Sequence, residues 1–225
     1  VRFTLGGKEV VTMAAVESDQ RRSARHAATR EEIIAHAVDI MGTQGVVGLT
    51  LSELARRIGV RTPSLYTYFN SKNAVYDELF RRGWQETLDH HRALVERLGP
   101  VGPDTDLVAR ALEVTTANIR WHLSRPAYAQ LMLFRPIPDW EPTPDAYAPA
   151  VTFAELAFEE FTSWREAGLV RADTDIFELN ECIVNATTGL TSRQLSNDPG
   201  TPYDQGRHTP HWPALITAVV RSYLP

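Results

Sequence analysis

The sequence predicts an all-α fold, and three observations lead to this prediction. Apolar residues recur at intervals of three and four, hydroxyl residues followed three positions later by Glu mark helix starts, and runs of short alternating strands are absent. The chain has 225 residues and is 43% hydrophobic, enough to bury a core of its own. We expect an N-terminal three-helix domain followed by a larger C-terminal helical domain.

Two capping boxes mark the first two helices of the small domain. Thr29 precedes Glu32 by three residues, and Thr50 precedes Glu53 by the same interval. At this spacing each side chain can bond a backbone N–H group at the position of the other. The second of these helices is about two turns long and ends at Gly59.

The next two helices are also marked by residues at their starts. Thr62 is predicted to cap a third helix with Pro63 at its first position, where the missing N–H costs nothing. This helix is expected to run to Phe69. Ser71 is predicted to cap a longer fourth helix, which the Gly and Pro residues of 99–103 end.

The residues before Thr29 lack a sustained apolar period and include several arginines. A segment of this kind cannot bury enough surface to order itself, so residues 1–28 are predicted to form a flexible tail. The predicted domains are then 29–76 for the helix-turn-helix and 77–225 for the larger part. The arginines are Arg21, Arg22, Arg25 and Arg30.

The second and third helices, joined by a tight turn, have the geometry that presents a helix to a DNA major groove. Leu65 and Phe69 are expected to point back into the core. Lys72 and the free N–H groups beside it suit a phosphate, as do the hydroxyls of Thr50 and Ser52. The residues expected near base edges are Arg61, Thr62, Pro63 and Ser64, with Tyr66, Thr67 and Tyr68 behind them.

This segment resembles the DNA-binding signature of TetR-family regulators. The resemblance covers residues 29–76 and is carried by LSELARRIGV at 51–60, TPSLYTYF at 62–69, Ser71, Lys72 and Val75. It implies phosphate contacts from Thr50, Ser52, Tyr66 and Lys72. It implies positions at or near the bases for Arg61, Thr62, Pro63, Ser64 and Tyr68. Whether residues 1–28 form an arm along the minor groove or a disordered tail stays open.

The resemblance also implies that the C-terminal domain binds a small molecule of unknown identity. For most of the aromatic side chains there, an ordinary helical core is the better explanation, although cavities between bundle helices also have apolar walls. The residues expected to form cavity walls are Trp121, Met132, Phe134, Phe158 and Trp164. The expected polar anchors are His122, Asn118 and Asn185.

Pairing of the last two helices with their symmetry mates is a further implication of the resemblance. These helices are expected over about 175–196 and 210–223, with apolar contacts from Trp212, Leu215, Ile216 and Val219. An intrachain core accounts for the same residues equally well. A dimer predicts a palindromic double-stranded DNA operator, and the family implies a repressor that a small-molecule effector releases.

Charge, cysteine content and hydropathy limit the other classes. The net charge is -5, with ten Lys and Arg against seven Asp and Glu in residues 1–72 and 13 against 21 thereafter. The basic end is therefore compatible with a nucleic-acid partner. The single Cys182 excludes an intrachain disulfide and favours a reducing cytoplasm. No apolar run approaches a membrane span or a signal peptide, so we expect a cytoplasmic protein without a membrane partner.

No arrangement of residues indicates catalysis, so we expect no catalytic residue, no metal and no cofactor. His90–His91 and His208 with His211 lack carboxylates or cysteines at zinc spacing and are expected to be exposed. Glu159–Glu160 are expected on a solvated helix face. A helical small-molecule-binding protein without DNA-binding activity stays open as the alternative function.

Overall fold

The structure, a computed structural model, describes residues 3–5, 8–10 and 13–225, with side chains from residue 16 onward. Its helices confirm the predicted all-α fold. They are α1 (Met13–Gln44), α2 (Leu51–Ile58), α3 (Thr62–Leu65), α4 (Lys72–Leu98), α5 (Leu107–Ser124), α6 (Pro126–Ala129), α7 (Pro144–Glu166), α8 (Ile176–Asn197) and α9 (Trp212–Arg221).

Two short strands lie before the helices. They are β1 (Phe3–Leu5) and β2 (Lys8–Val10), which pair antiparallel with Phe3 opposite Val10. The chain divides into two compact units, Val1–Val75 and Tyr76–Pro225. The division of functions between residues 29–76 and 77–225 stays a prediction.

Helix α1 begins at Met13 and passes through Thr29 without interruption, so Thr29 does not cap a helix as predicted. The flexibility of residues 1–28 stays a prediction. Residues 16–28 are exposed, so their helix needs no apolar stripe. Ion pairs between residues one helical turn apart, such as Arg21 with Glu17 at 3.6 Å, stabilise this exposed part of the helix. Residues 1, 2, 6, 7, 11 and 12 of the predicted tail lie outside the described residues.

The first unit has a core between α1 and α2. Ile33, Ala37 and Ile40 of α1 are fully buried at the helical spacing that the sequence shows. Leu54 and Ala55 of α2 are buried as well, and the two helices pack together. This packing fixes the helix-turn-helix on a longer supporting helix.

The second unit has its core among α5, α7, α8 and α9. Trp212 is fully buried, and its Nε1 donates to Thr115 Oγ1 at 3.2 Å. Ile216 is fully buried too. These two residues therefore belong to the core of their own chain, and only Leu215 and Val219 of the four predicted contact residues on α9 keep exposed surface.

Helix α7 begins earlier than the proline content suggests. Thr143 caps it by accepting from Ala146 N, and Pro144 occupies a position in the first turn that needs no N–H. Pro149 lies inside the helix. The five prolines of residues 135–149 predict a loop over that range, but the irregular segment is shorter because α7 begins at Pro144.

Candidate DNA-binding surface and ligand cavity

The start of α2 carries a real N-cap. Thr50 Oγ1 accepts from Glu53 N at 3.1 Å, which confirms half of the predicted capping box. The other half is not formed, because the Glu53 carboxylate accepts from Arg56 Nε at 2.8 Å and from Arg57 Nε at 3.0 Å. The Arg56 guanidinium, followed by that of Arg57, lowers the pKa of Glu53 to about 2. Arg57 also bonds Asp39, which ties α2 to α1.

The turn after α2 depends on Gly59. This residue has φ of 76°, a left-handed conformation that strains side chains, and its N–H bonds the last carbonyls of α2. Arg61 follows in an extended conformation as the N-cap of α3 and makes no side-chain cap. The chain therefore turns sharply into the next helix within three residues.

Helix α3 is shorter than predicted and begins one residue earlier. Thr62 is its first residue rather than its cap, and Pro63 is the second. The helix ends at Leu65, and residues 66–69 continue as a turn in which Tyr68 N donates to the Leu65 carbonyl at 2.9 Å. Although residues 66–69 form a turn and not a helix, Leu65 and Phe69 are both buried as expected.

Most side chains of the predicted DNA-contact set point to solvent. Tyr66 is 54% exposed, although its neighbour Leu65 is buried. Thr62, Tyr68 and Lys72 are half-buried. The exposed members besides Tyr66 are Thr50, Ser52, Arg61, Pro63 and Ser64. The structure thus brings the set together on α2, α3 and the start of α4, while the DNA contacts themselves stay predictions.

The start of α4 is capped as the sequence predicts. Ser71 Oγ accepts from Ala74 N at 3.1 Å, which confirms the predicted cap. Lys72 is the first residue of α4. A lysine in the first turn lies beside free backbone N–H groups, which together form an anion-binding arrangement.

Two residues of α1 contact residues 62–69, which we call the recognition segment. Neither contact was predicted from the sequence. The His26 ring stacks on Tyr68 with centroids 4.7 Å apart, and its Nε2 bonds the Thr67 carbonyl at 3.2 Å. The Arg30 guanidinium lies 4.4 Å from the centre of the Phe69 ring. These contacts join residues about 40 positions apart, so no local spacing in the sequence indicates them.

The second unit contains a cavity of about 160 Å³ between α4, α5, α7 and α8. Each helix contributes residues from one face. Trp84 and His91 of α4 are seven residues apart, which places them two turns apart on the same side. The matching sets are Ala111, Thr115, Asn118 and His122 on α5, and Phe153, Ala157, Glu160 and Trp164 on α7.

Three of the eight predicted ligand residues line this cavity. They are Asn118, His122 and Trp164. The other five lie elsewhere, namely Trp121, Met132, Phe134, Phe158 and Asn185. For several of them the error is one residue of helical phase, which rotates a side chain by about 100°.

The positions of these five residues have specific causes. Trp121 follows the opposite flank of α5, where the Arg125 guanidinium lies 5.0 Å from its ring centre. Met132 packs against Gly83 of α4, so closely that a Cβ added to Gly83 would collide with the Met132 Sδ atom. The other three, Phe134, Phe158 and Asn185, are exposed to solvent.

The sequence reasoning missed the most polar wall of the cavity. His91, expected to be exposed, is 4% exposed and lines the cavity beside Phe153. Glu160, expected on a solvated face, is held in a bidentate ion pair by the nearly buried Arg110. The seven-residue interval between Trp84 and His91 was the one available signal for this wall.

Burial controls the protonation of the two cavity histidines. Removal from water lowers the pKa of His122 to about 4, although the hydrogen bond to the Asn118 carbonyl opposes the shift. Desolvation also lowers the pKa of His91. Both rings are therefore neutral at pH 7. The Glu160 carboxylate forms an ion pair with Arg110 and also accepts a hydrogen bond from Trp164 Nε1 at 3.0 Å.

The described residues offer neither a metal site nor a membrane-spanning helix. In residues 13–225 and the two short strands, no three His, Cys, Asp or Glu side chains group as metal ligands would. None of the helices there is both long enough and apolar enough to cross a bilayer.

Comparison with known proteins gives a consistent picture for the first unit. Residues 33–79 match the family model of bacterial regulatory proteins, tetR family. The chain is 28% identical over 114 residues to YobS, an HTH-type transcriptional regulator of Bacillus subtilis, covering 50% of this chain and 56% of YobS. It is 42% identical over 50 residues to the class C tetracycline repressor of Escherichia coli, covering 22% and 23%. The chain thus spans about half the length of YobS, and less of the tetracycline repressor.

Solved structures resemble the whole chain in fold. A protein of unknown function from Rhodococcus superposes with a TM-score of 0.69 and 19% identity, covering 87% of this chain and 95% of that one. FadR of Bacillus subtilis, solved with stearoyl-CoA, superposes with a TM-score of 0.65 and 14% identity, covering 85% and 95%. The shared fold therefore includes both units.

Proposed function

We propose that the chain is a transcriptional regulator of the TetR family and acts as a ligand-responsive repressor. It binds a palindromic operator as a homodimer and leaves the DNA when a small molecule occupies the cavity of the second unit. The observation that carries the proposal is the exposed polar surface of α3, fixed over a buried Leu65 and Phe69. A protein of this kind performs no catalysis.

The DNA-binding part of the proposal rests on where the polar residues lie on α2, α3 and α4. Thr62 and Pro63 lie at the N-terminal end of α3, the end that reaches base edges in a helix-turn-helix, and Ser64 follows in the same turn. Thr50 and Lys72 flank this end at the starts of α2 and α4. Hydroxyls, N–H groups and a lysine at those positions suit the phosphates on either side of one groove.

The homodimer is supported by exposed apolar side chains on α8 and α9. Phe177 is 65% exposed and Val184 is 44% exposed, seven residues apart on one face of α8. Leu215 of α9 is 42% exposed. A two-fold axis through such a surface would hold two recognition helices one turn of DNA apart, about 34 Å.

The response to a ligand requires that the cavity and the DNA-binding residues influence the same equilibrium. Helix α4 begins with Lys72 in the first unit and contributes Trp84 and His91 to the cavity in the second. A ligand that favours one of two arrangements of this helix by about 1 to 3 kcal/mol would change operator affinity about 5- to 150-fold. FadR of Bacillus subtilis, with stearoyl-CoA bound, is a solved relative in fold that holds a small molecule.

Selection of genomic DNA fragments by the purified protein tests this function. The selection is repeated at two salt concentrations, because phosphate contacts release counterions and make affinity fall steeply with salt. We expect a short palindrome to be enriched, and we expect more of it to be bound at the lower salt. Failure to enrich any sequence at either salt would support a helical small-molecule-binding protein without DNA-binding activity.

A further inference from the structure

Four residues that line the cavity each hold a buried polar atom without a hydrogen-bond partner among the described residues. The atoms are Trp84 Nε1, His91 Nδ1, Asn118 Oδ1 and His122 Nε2. A buried polar group that stays unpaired destabilises the fold, because it loses its bonds to water and gains none in return. Four such groups around one cavity are unusual for a folded protein and indicate that a bound molecule supplies the partners.

The chemistry of these atoms fixes what the bound molecule must offer. Trp84 Nε1 carries a hydrogen and can only donate, so the molecule must accept there. His122 Nδ1 lies 2.8 Å from the Asn118 carbonyl, which accepts only, so Nδ1 carries the hydrogen. Because the ring is neutral, Nε2 holds a lone pair and needs a donor. Asn118 Oδ1 needs a donor as well.

The charge balance of the cavity favours an uncharged molecule. Its one carboxylate, Glu160, is already paired with Arg110 through two hydrogen bonds. The two histidines are neutral, since burial lowers both pKa values. A carboxylate ligand would therefore find no cation among the lining residues, and an ammonium ligand would have to displace Arg110.

The size of the cavity limits the molecule further. A volume of about 160 Å³ is close to that of an apolar cavity known to accept benzene, which is about 150 Å³. Phe153, Phe161 and Trp164 supply aromatic walls on α7. These walls suit one flat ring or a short hydrocarbon chain.

We propose that the effector of this cavity is an uncharged, mainly apolar molecule of about one ring that bears a hydroxyl group, such as a phenol or a cyclic alcohol. A hydroxyl is the smallest group that both donates and accepts, so it can bond His122 Nε2 or Asn118 Oδ1 and also receive the Trp84 N–H. The inference rests on the proposed function in treating this cavity as the effector site.

A ligand series with the wild-type protein tests the chemistry without any substitution. Binding of phenol, toluene, anisole and benzoate is measured by calorimetry in the absence of DNA. Toluene matches phenol in size but lacks the oxygen, and anisole can accept but cannot donate. We expect phenol to bind about tenfold or more tightly than toluene and anisole, and benzoate to bind most weakly. Equal affinities of phenol and toluene, tightest binding of benzoate, or no binding of phenol at millimolar concentration would overturn the proposal.

Two variants assign the preference to named atoms. Trp84→Phe removes the donor, and His122→Phe removes the acceptor. In each variant we expect the ratio of phenol to toluene affinity to fall toward one, and this ratio is taken within one protein, so a general loss of stability cancels. Trp140→Phe is the matched control, because the Trp140 indole donates to Asp77 and lies outside the cavity. An unchanged ratio in both cavity variants would contradict the assignment.

The failure of this inference and the failure of the proposed function give different results. If phenol bound with the expected preference but did not release the selected operator, the proposed ligand chemistry would stand. Control of DNA binding by the ligand would then be refuted. An operator that is released by a charged ligand, with no preference for phenol over toluene, would keep the repressor and refute the ligand class.

Discussion

Lys72 and Ser64 lie in the same helix-turn-helix unit, but their side chains have different chemistry. An ammonium group attracts any phosphate, whereas the exposed Ser64 hydroxyl on α3 can bond a base edge. In Lys72→Ala we expect affinity for all DNA sequences to fall about five- to tenfold, with a salt slope smaller by about one. Fluorescence anisotropy at several salt concentrations measures both.

Ser64→Ala is the companion variant and predicts a different pattern. Its affinity for random DNA is expected to stay as in the wild type, while preference at one base-pair position changes by about 1 to 3 kcal/mol. If Lys72→Ala changed the preferred sequence, or if both variants lost affinity uniformly, the assignment of phosphate and base contacts would be wrong.

His122 predicts a specific pH dependence of stability. Its pKa falls from 6.5 in the unfolded chain to about 4 in the fold, because burial disfavours the charged ring. The unfolded state therefore binds more protons between these values, and stability is full above pH 6.5 and decreases as the pH falls toward 4. The loss at the acid limit is about 3 kcal/mol.

Chemical denaturation of the wild type and of His122→Phe between pH 7.5 and pH 4.5 measures this effect. His91 also has a lowered pKa and lines the same cavity as Glu160, so the wild-type slope contains more than one group. The difference in slope between the two proteins isolates His122. Parallel slopes would show that His122 does not titrate as the fold requires.

At the scale of the element, the N-terminal half of α1 is the largest departure from the sequence prediction. Arg21, Arg22 and Arg25 lie along an open groove that Tyr68 also lines. A basic groove beside the recognition segment can add phosphate contacts outside the helix-turn-helix. Whether residues 1–28 form an ordered arm on DNA or a flexible tail stays a prediction.

Arg25→Ala tests whether this groove contacts DNA. We expect affinity for the operator and for random DNA to fall about two- to fivefold at low salt, with little effect at high salt. Electrophoretic mobility shifts with both duplexes give the two numbers. Arg92→Ala, an exposed arginine of the second unit, is the control and should bind as the wild type does. Equal effects of the two substitutions would remove α1 from the DNA-binding surface.

Some of these elements could be predicted from the sequence and others could not, for physical reasons. Local signals worked where the chemistry is local, as in the Thr50 and Ser71 caps and the Gly59 turn. The exposed part of α1 has no apolar period because it buries nothing, so periodicity could not reveal it.

Cavity residues were harder to predict, because helices in the second unit are apolar on more than one side. The sequence then indicates a helix without fixing which face meets which neighbour, and an error of one residue exchanged Ala157 for Phe158. The Arg110–Glu160 pair joins residues 50 positions apart, which only tertiary packing can reveal.

At the scale of the whole molecule, the proposed homodimer places Leu215 in a contact between two chains. Leu215→Arg is expected to convert the dimer to monomer at micromolar concentration, because a charge would be buried in an apolar contact. Sedimentation velocity measures the masses. Val151→Arg, which changes a residue of α7 with 45% exposure, is the control and should keep the wild-type mass. A Leu215→Arg protein that remained dimeric would exclude this face.

A regulator must distinguish its operator from other DNA, and a comparison of two duplexes measures this. The affinity of the wild-type protein for its selected palindrome is compared with that for a scrambled duplex of the same length and composition at one salt concentration. We predict that the palindrome binds about a thousandfold more tightly. Equal affinity for the two duplexes would contradict the account, since only phosphates would then be recognised.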